Sequence, residues 1–107
     1  MELVTLKAIS SQRFNITLSG NNYDIRIFST EGSMACDISI NGVSIISGFK
    51  MINDVPLLVY PSQEVSGNLV LSLPDDETPN YEGFGLSQFL YHLNAAETIV
   101  YRKAFEL

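Results

Sequence analysis

The block Phe14-Asn15-Ile16-Thr17-Leu18, Ser19-Gly20-Asn21-Asn22, Tyr23-Asp24-Ile25-Arg26-Ile27-Phe28 constrains the fold more than any other part of the chain. Phe14, Ile16 and Leu18 alternate with polar residues, and so do Tyr23, Ile25 and Ile27. A period of two places each apolar set on one face of an extended strand. The Gly20-Asn21-Asn22 cluster tolerates positive φ and suits a tight reversal. The block therefore predicts a β-hairpin with one face turned to a core.

Further strands are expected on both sides. Leu3 to Ile9 reads as a first strand, loosely alternating, broken by Ser10-Ser11-Gln12. After a turn at Ser29 to Ser33, Met34, Cys36, Ile38 and Ile40 fall in one phase. Asn41-Gly42 is a strong signal for a type I′ hairpin, and Val43 to Gly48 returns from it. Strands two to five thus read as an antiparallel meander. Phe49 to Pro61 is apolar without clean alternation and is bounded by prolines. It reads as a crossing segment with a short helical turn at Val55 to Tyr60, N-capped by Asn53-Asp54. Gly67 opens a strand with Leu69, Leu71 and Leu73 in phase. Pro74 to Asn80 is the most polar stretch and reads as an exposed loop. Gly83-Phe84-Gly85 punctuates the chain. Ser87 to Leu93 reads as the last core strand, with a short helix over Leu86 to Leu93 as the alternative. In the tail, Ala95-Ala96-Glu97 favours helix and Thr98 to Tyr101 favours strand. Short strands spaced by turn signals predict an all-β fold, a small antiparallel barrel or sandwich, as one domain over residues 1–107.

Composition narrows the function classes. The chain of 107 residues is 46% hydrophobic, enough for its own modest core. Charged residues make up 17%, below the usual ~25% of a soluble domain, which fits a merely apolar small domain or, as the alternative, a surface partly covered in an assembly. The net charge is −6 and the six basic residues are scattered, so no stripe for gripping nucleic acid is present. Met1 to Leu6 lacks the basic start and apolar run of a signal peptide, and no run approaches the ~18 apolar residues of a membrane span. A cytosolic origin is the expectation.

Few residues suggest reaction chemistry. Cys36 is the one cysteine and reads as a small core residue with no orienting base nearby. His92 is the one histidine, which excludes a multi-histidine metal site, and reads as a strand-face residue. Asp24 and Asp37 carry no mark of an acid–base pair. Gly83-x-Gly85 lacks the Lys-Ser/Thr of a phosphate cradle. Asp75-Asp76-Glu77 lacks the alternation of a calcium loop and reads, with Glu82, as a solvent-facing acidic cluster. Tyr23, Phe28, Phe49, Tyr60 and Tyr81 supply core area or interface anchors. No catalytic residue, metal ligand or cofactor site is expected.

In order, these elements resemble the small baseplate plug proteins of contractile-tailed bacteriophages, the cyanophage baseplate plug domain. The resemblance is carried by the hairpin from Phe14 to Ile27, the strand pair around Cys36 to Gly42 ending at Gly48, and Asn53-Asp54-Val55-Pro56-Leu57-Leu58. Gly67 to Leu71, Pro79-x-Tyr81 with Phe84-Gly85, and Gln88 to Leu93 complete it. It spans about residues 14–93. The family often carries a tryptophan near Met34 or Cys36, which this chain lacks. Val59 to Ser66 has no clear counterpart, and residues 94–107 read as a C-terminal extension or arm. The resemblance implies a virion structural protein on the tail axis, an adaptor between hub and tail tube. It implies a homo-oligomeric ring, assembly in the host cytoplasm, no catalysis and no cofactor. On that reading DNA passes nearby, and Asp75, Asp76, Glu77 and Glu82 face the lumen or solvent, where acidic charge repels phosphate. The alternative is a monomeric β-barrel module binding carbohydrate or peptide.

Overall fold

The computed structural model describes residues 1–58 and 67–105. The alternating block forms β2 (Ser11–Leu18) and β3 (Asn21–Thr30), paired antiparallel with Phe14 opposite Ile25 and Ile16 opposite Tyr23. Ser19 and Gly20 alone make the turn, at φ of 50° and 78°. Two successive positive φ values give the twist that matches flanking strands. Asn21 and Asn22, expected in the turn, instead begin β3. The reason is a bond network to the next turn: the Asn22 N–H donates to Asn41 Oδ1 (2.9 Å) and Asn41 Nδ2 donates to Asn21 Oδ1 (2.8 Å).

Two more strands, β4 (Ser33–Ile40) and β5 (Val43–Lys50), complete a four-stranded sheet in the order β2-β3-β4-β5, the expected meander. Asn41 and Gly42 turn at φ of 51° and 82°, as their sequence predicts. Met34, Cys36, Ile38 and Ile40 are all buried on the inner face. The β4–β5 register shifts twice, and the Gly48 N–H donates to Asp37 Oδ1 at 2.7 Å where the ladder is interrupted.

A second sheet has the order β1-β7-β6, from β1 (Glu2–Val4), β6 (Asn68–Ser72) and β7 (Phe89–Leu93). Val4 and Leu71 flank Leu90 in register, and Leu69 lies opposite His92. Val4, Leu69, Leu71 and Leu90 join Leu18, Tyr23, Ile25, Ile27, Cys36 and Ile38 in one buried core. The Tyr23 and His92 rings meet edge to face across the sheets, with centroids 5.9 Å apart. Among the described residues no strand of one sheet pairs with the other, so the architecture is a sandwich and not a closed barrel.

Three expectations are corrected. The first strand covers Glu2–Val4 and not Leu3 to Ile9. Beyond it, Gln12 ties the chain down, accepting from the Lys7 N–H and donating to its carbonyl. Over Val55 to Leu58 no helical turn forms, while Val59 and Tyr60 lie outside the described residues. Asp54 sits at φ 62°, and the N–H groups of Asp54 and Leu57 donate to the Leu71 and Leu69 carbonyls of β6. The segment thus satisfies its backbone on a neighbouring strand rather than within itself. In the tail, helix prevails over strand: α1 spans Ala95–Phe105. Asn94 and Glu97 cap it reciprocally, the Glu97 N–H donating to Asn94 Oδ1 (2.8 Å) and the Asn94 N–H to Glu97 Oε1 (3.0 Å). The helix lies on the body, with Thr98 buried, Tyr101 Oη donating to the Asp54 carbonyl and Arg102 Nη2 to the Leu58 carbonyl.

Gly67 is the tightest backbone junction. It lies at φ 107°, and a Cβ there would sit 1.9 Å from the Leu93 carbonyl oxygen. The overlapping atom is backbone, so no side chain can yield to relieve it. Gly67→Ala should lower unfolding stability by about 3 kcal/mol or more in urea denaturation, combining left-handed strain with steric overlap.

Candidate functional site

Residues that carry chemistry in other proteins are here engaged in holding the fold. Cys36 is fully buried, and burial together with neighbouring Asp37 pushes its thiol up to about 12. His92 is buried between the sheets against Tyr23. Asp24 accepts two bonds from Arg13, at 3.0 and 2.5 Å, and those bonds hold its carboxyl below the ordinary value. Asp37 accepts from Arg26 Nη1 at 3.2 Å, and the Arg26 guanidinium stacks 4.4 Å from the Phe28 ring centre. Arg13, Asp24, Arg26 and Asp37 thus form a ladder across the outer face of the four-stranded sheet. Ser39, Ser44 and Ser47 border the same shallow hollow of about 250 Å³. The alternation that puts Tyr23, Ile25 and Ile27 inside puts Asp24 and Arg26 outside, so this ladder was legible from strand phase.

The acidic residues separate into two kinds. Asp75, Asp76 and Glu82 are exposed. Glu77 is half-buried and accepts from Ser87 Oγ (2.7 Å) and Gln88 Nε2 (3.1 Å), bonds that draw its carboxyl below the usual 4.5. Gln88 is the fastener of this loop. It is buried, also donates to the Thr78 carbonyl (2.9 Å), and accepts from the Asn80 N–H (3.0 Å). Asn80 in turn caps the 3₁₀ turn Tyr81–Gly83 that carries Glu82. A Cβ on Gly83 would lie 3.0 Å from the Gln88 side chain, so the glycine makes room for it. Asp75 also acts on Asp54, whose carboxyl is raised by burial and then by that charge. The loop is thus a braced acidic projection. Its composition was visible in sequence, whereas the role of Gln88, a single polar residue in a strand-like run, was not.

One apolar hollow of about 470 Å³ runs beside α1, lined mainly by Met1, Leu93, Ala96, Val100, Tyr101 and Ala104. Ile99 and Val100 are about two-thirds exposed, at 69% and 68%. The Asn94-x-x-Glu97 capping box was the signal that could have placed this helix. Among the described residues no three His, Cys, Asp or Glu side chains are grouped to hold a metal ion, and no helix is long and apolar enough to cross a membrane.

Fold and surface together define a small two-sheet β-sandwich module with a braced acidic loop and one open sheet edge, at β2, among the described residues. The chain belongs to the family described as cyanophage baseplate Pam3 plug gp18, which matches residues 1–95. It is accordingly a phage baseplate structural protein. The match takes in β1, is wider than the span from Phe14 to Leu93, and ends at the first residue of α1. No curated protein matches the chain.

Two outcomes are expected. With the thiol buried and its pKa raised to about 12, Cys36 should not react with a maleimide in the native protein at pH 8 and should react fully on unfolding; labelling followed by mass spectrometry checks this. Glu77 has a folded pKa below its unfolded one, so its contribution to stability is present above pH 4.5 and is lost as pH falls through the lowered value. Glu77→Gln should therefore flatten the fall of stability below pH 4.5 in denaturation series, and an unchanged slope would count against the bracing role.

Proposed function

We propose that this chain is the plug of a contractile-tail baseplate, sitting on the tail axis and joining hub to tail tube by protein contacts alone. The observation that carries this reading is the family match over residues 1–95, which covers both sheets and the acidic loop. On this reading several copies form a ring, the work is done by edges and loops, and no reaction is catalysed. It is supported by the engagement of Cys36, His92, Asp24 and Asp37 in packing and ion pairs. The braced loop presents Asp75, Asp76 and Glu82 to the lumen or solvent, with Glu77 holding its base. Like charge there keeps the phosphate backbone of passing DNA from adhering. The protein is made and assembled in the host cytoplasm and ends in the virion baseplate.

Immunogold labelling of intact virions tests the placement: label concentrated at the tail tip is expected, with co-purification of hub and tube proteins. Absence from purified virions would overturn the reading. A strictly monomeric protein that binds a soluble glycan would instead favour a binding module.

A further inference from the structure

The four sheet edges are not equivalent, and three of them are closed. Along β5 the register breaks twice, with Gly48 at φ 63°, and Lys50 ends the strand. β6 is covered, because Asp54 and Leu57 donate to its carbonyls. β1 has three residues. Bulges, covering segments and short length are the devices by which sheets prevent edge-to-edge pairing. Among the described residues, β2 has none of them over most of its length. It pairs with β3 through eight unbroken register positions and contains neither Gly nor Pro. Gln12 is tied to Lys7, which leaves Arg13 to Leu18 as open edge. A charge on an edge also repels neighbours, but Arg13 is turned back onto Asp24 by two bonds.

The turn fixes which groups face outward. A two-residue hairpin closes on Leu18 and Asn21 as a hydrogen-bonded pair, so Leu18, Ile16 and Phe14 bond to β3. The N–H and C=O groups of Arg13, Asn15 and Thr17 then point away from the sheet. Phe14 and Ile16, on the core face of the same edge, are only half-buried.

We propose that this edge is an interface with a second copy of the chain, β2 against β2, antiparallel about a two-fold axis at Asn15. An edge strand needs a partner that presents another open edge, and β2 is the edge that each copy has to offer. Centred on Asn15, the pairing sets Arg13 opposite Thr17 of the partner subunit and Phe14 opposite Ile16 of the partner subunit. All outward groups of Arg13, Asn15 and Thr17 are then paired, an aromatic meets a β-branched residue, and no like charges stand directly opposite. The result is a continuous eight-stranded sheet. A two-fold contact closes on itself and cannot propagate a ring, so this dimer stands independently of the proposed ring.

Sedimentation velocity of the full chain tests it. The expected result is a concentration-dependent species of twice the 11.9 kDa chain mass. It should strengthen with added salt, which screens the repulsion of two acidic copies. Asn15→Pro removes an outward N–H while sparing the bonds to β3, and should weaken dimerisation at least about tenfold. Asn15→Lys, which opposes two ammonium groups at the axis, should do the same and carries the test if the proline variant misfolds. Under mild oxidation Asn15→Cys should cross-link, since a hydrogen-bonded pair sets its Cα atoms about 5.5 Å apart. Ser47→Cys on β5 should not. A monomer up to about 1 mM (a millimolar Kd being only about −4 kcal/mol of binding) would overturn the proposal. So would a dimer indifferent to both Asn15→Pro and Asn15→Lys, or cross-linking of Ser47→Cys as readily as Asn15→Cys.

Discussion

Burial of one shared apolar layer between two sheets is the constraint on which everything else depends. Val4, Leu69, Leu71 and Leu90 of the three-stranded sheet and Tyr23, Ile25, Ile27, Met34, Cys36 and Ile38 of the meander would each be an apolar face in water if their sheet stood alone. Face to face, each supplies the other's missing side. Tyr23 and His92 lie where the sheets meet, and their edge-to-face contact places a polar ring in that layer against a partner whose geometry suits it. A chain with this core fixes strand phase everywhere, because a one-residue slip would turn an apolar row outward.

That dependence explains what was legible in sequence. Where one face is buried and the other wet, alternation shows, so β2, β3 and β4 could be read from phase and the Asn41-Gly42 turn from its residues. Reading failed where another rule intervened. Asn21 and Asn22 look like turn residues but are held in β3 by bonds to Asn41, a contact between residues about twenty positions apart. Val55-Pro56-Leu57-Leu58 looks like a capped helical start, yet β6 offers its carbonyls and the segment takes them. The tail carried opposing propensities, and a local device, the Asn94–Glu97 box, decided for helix.

The candidate surfaces were less legible than the fold because polar residues do their work through partners that periodicity does not encode. Asn68 is fully buried, yet it accepts from the N–H groups of Leu58 (2.9 Å) and Leu69 (2.8 Å) and donates to the Leu58 carbonyl (2.7 Å). Gln88 does the same for the acidic loop, and Asp37 for the bulge at Gly48. Each sits where the backbone leaves its regular ladder, and each supplies the bond the ladder would have made. An acidic cluster can be counted in a sequence. That its base residue is pinned and its tips are free follows only once Gln88 is seen to fasten it.

The same accounting bears on α1, which extends beyond the matched region yet is no loose arm. Its first turn is capped, Thr98 is buried, and Tyr101 and Arg102 hold carbonyls of the crossing segment at Asp54 and Leu58. Those carbonyls belong to the stretch that covers the β6 edge. The helix therefore helps keep that cover in place, and with it the closure of one sheet edge. Ordering in this sandwich runs outward from the core, through side chains that mend interrupted ladders, to a tail that secures a cover. Among the described residues, the edge left outside this chain of support is β2, where outward backbone groups lie beside a half-covered Phe14 and Ile16. In a phage baseplate structural protein, an edge that no described segment closes is where the proposed second β2 strand would find its bonds.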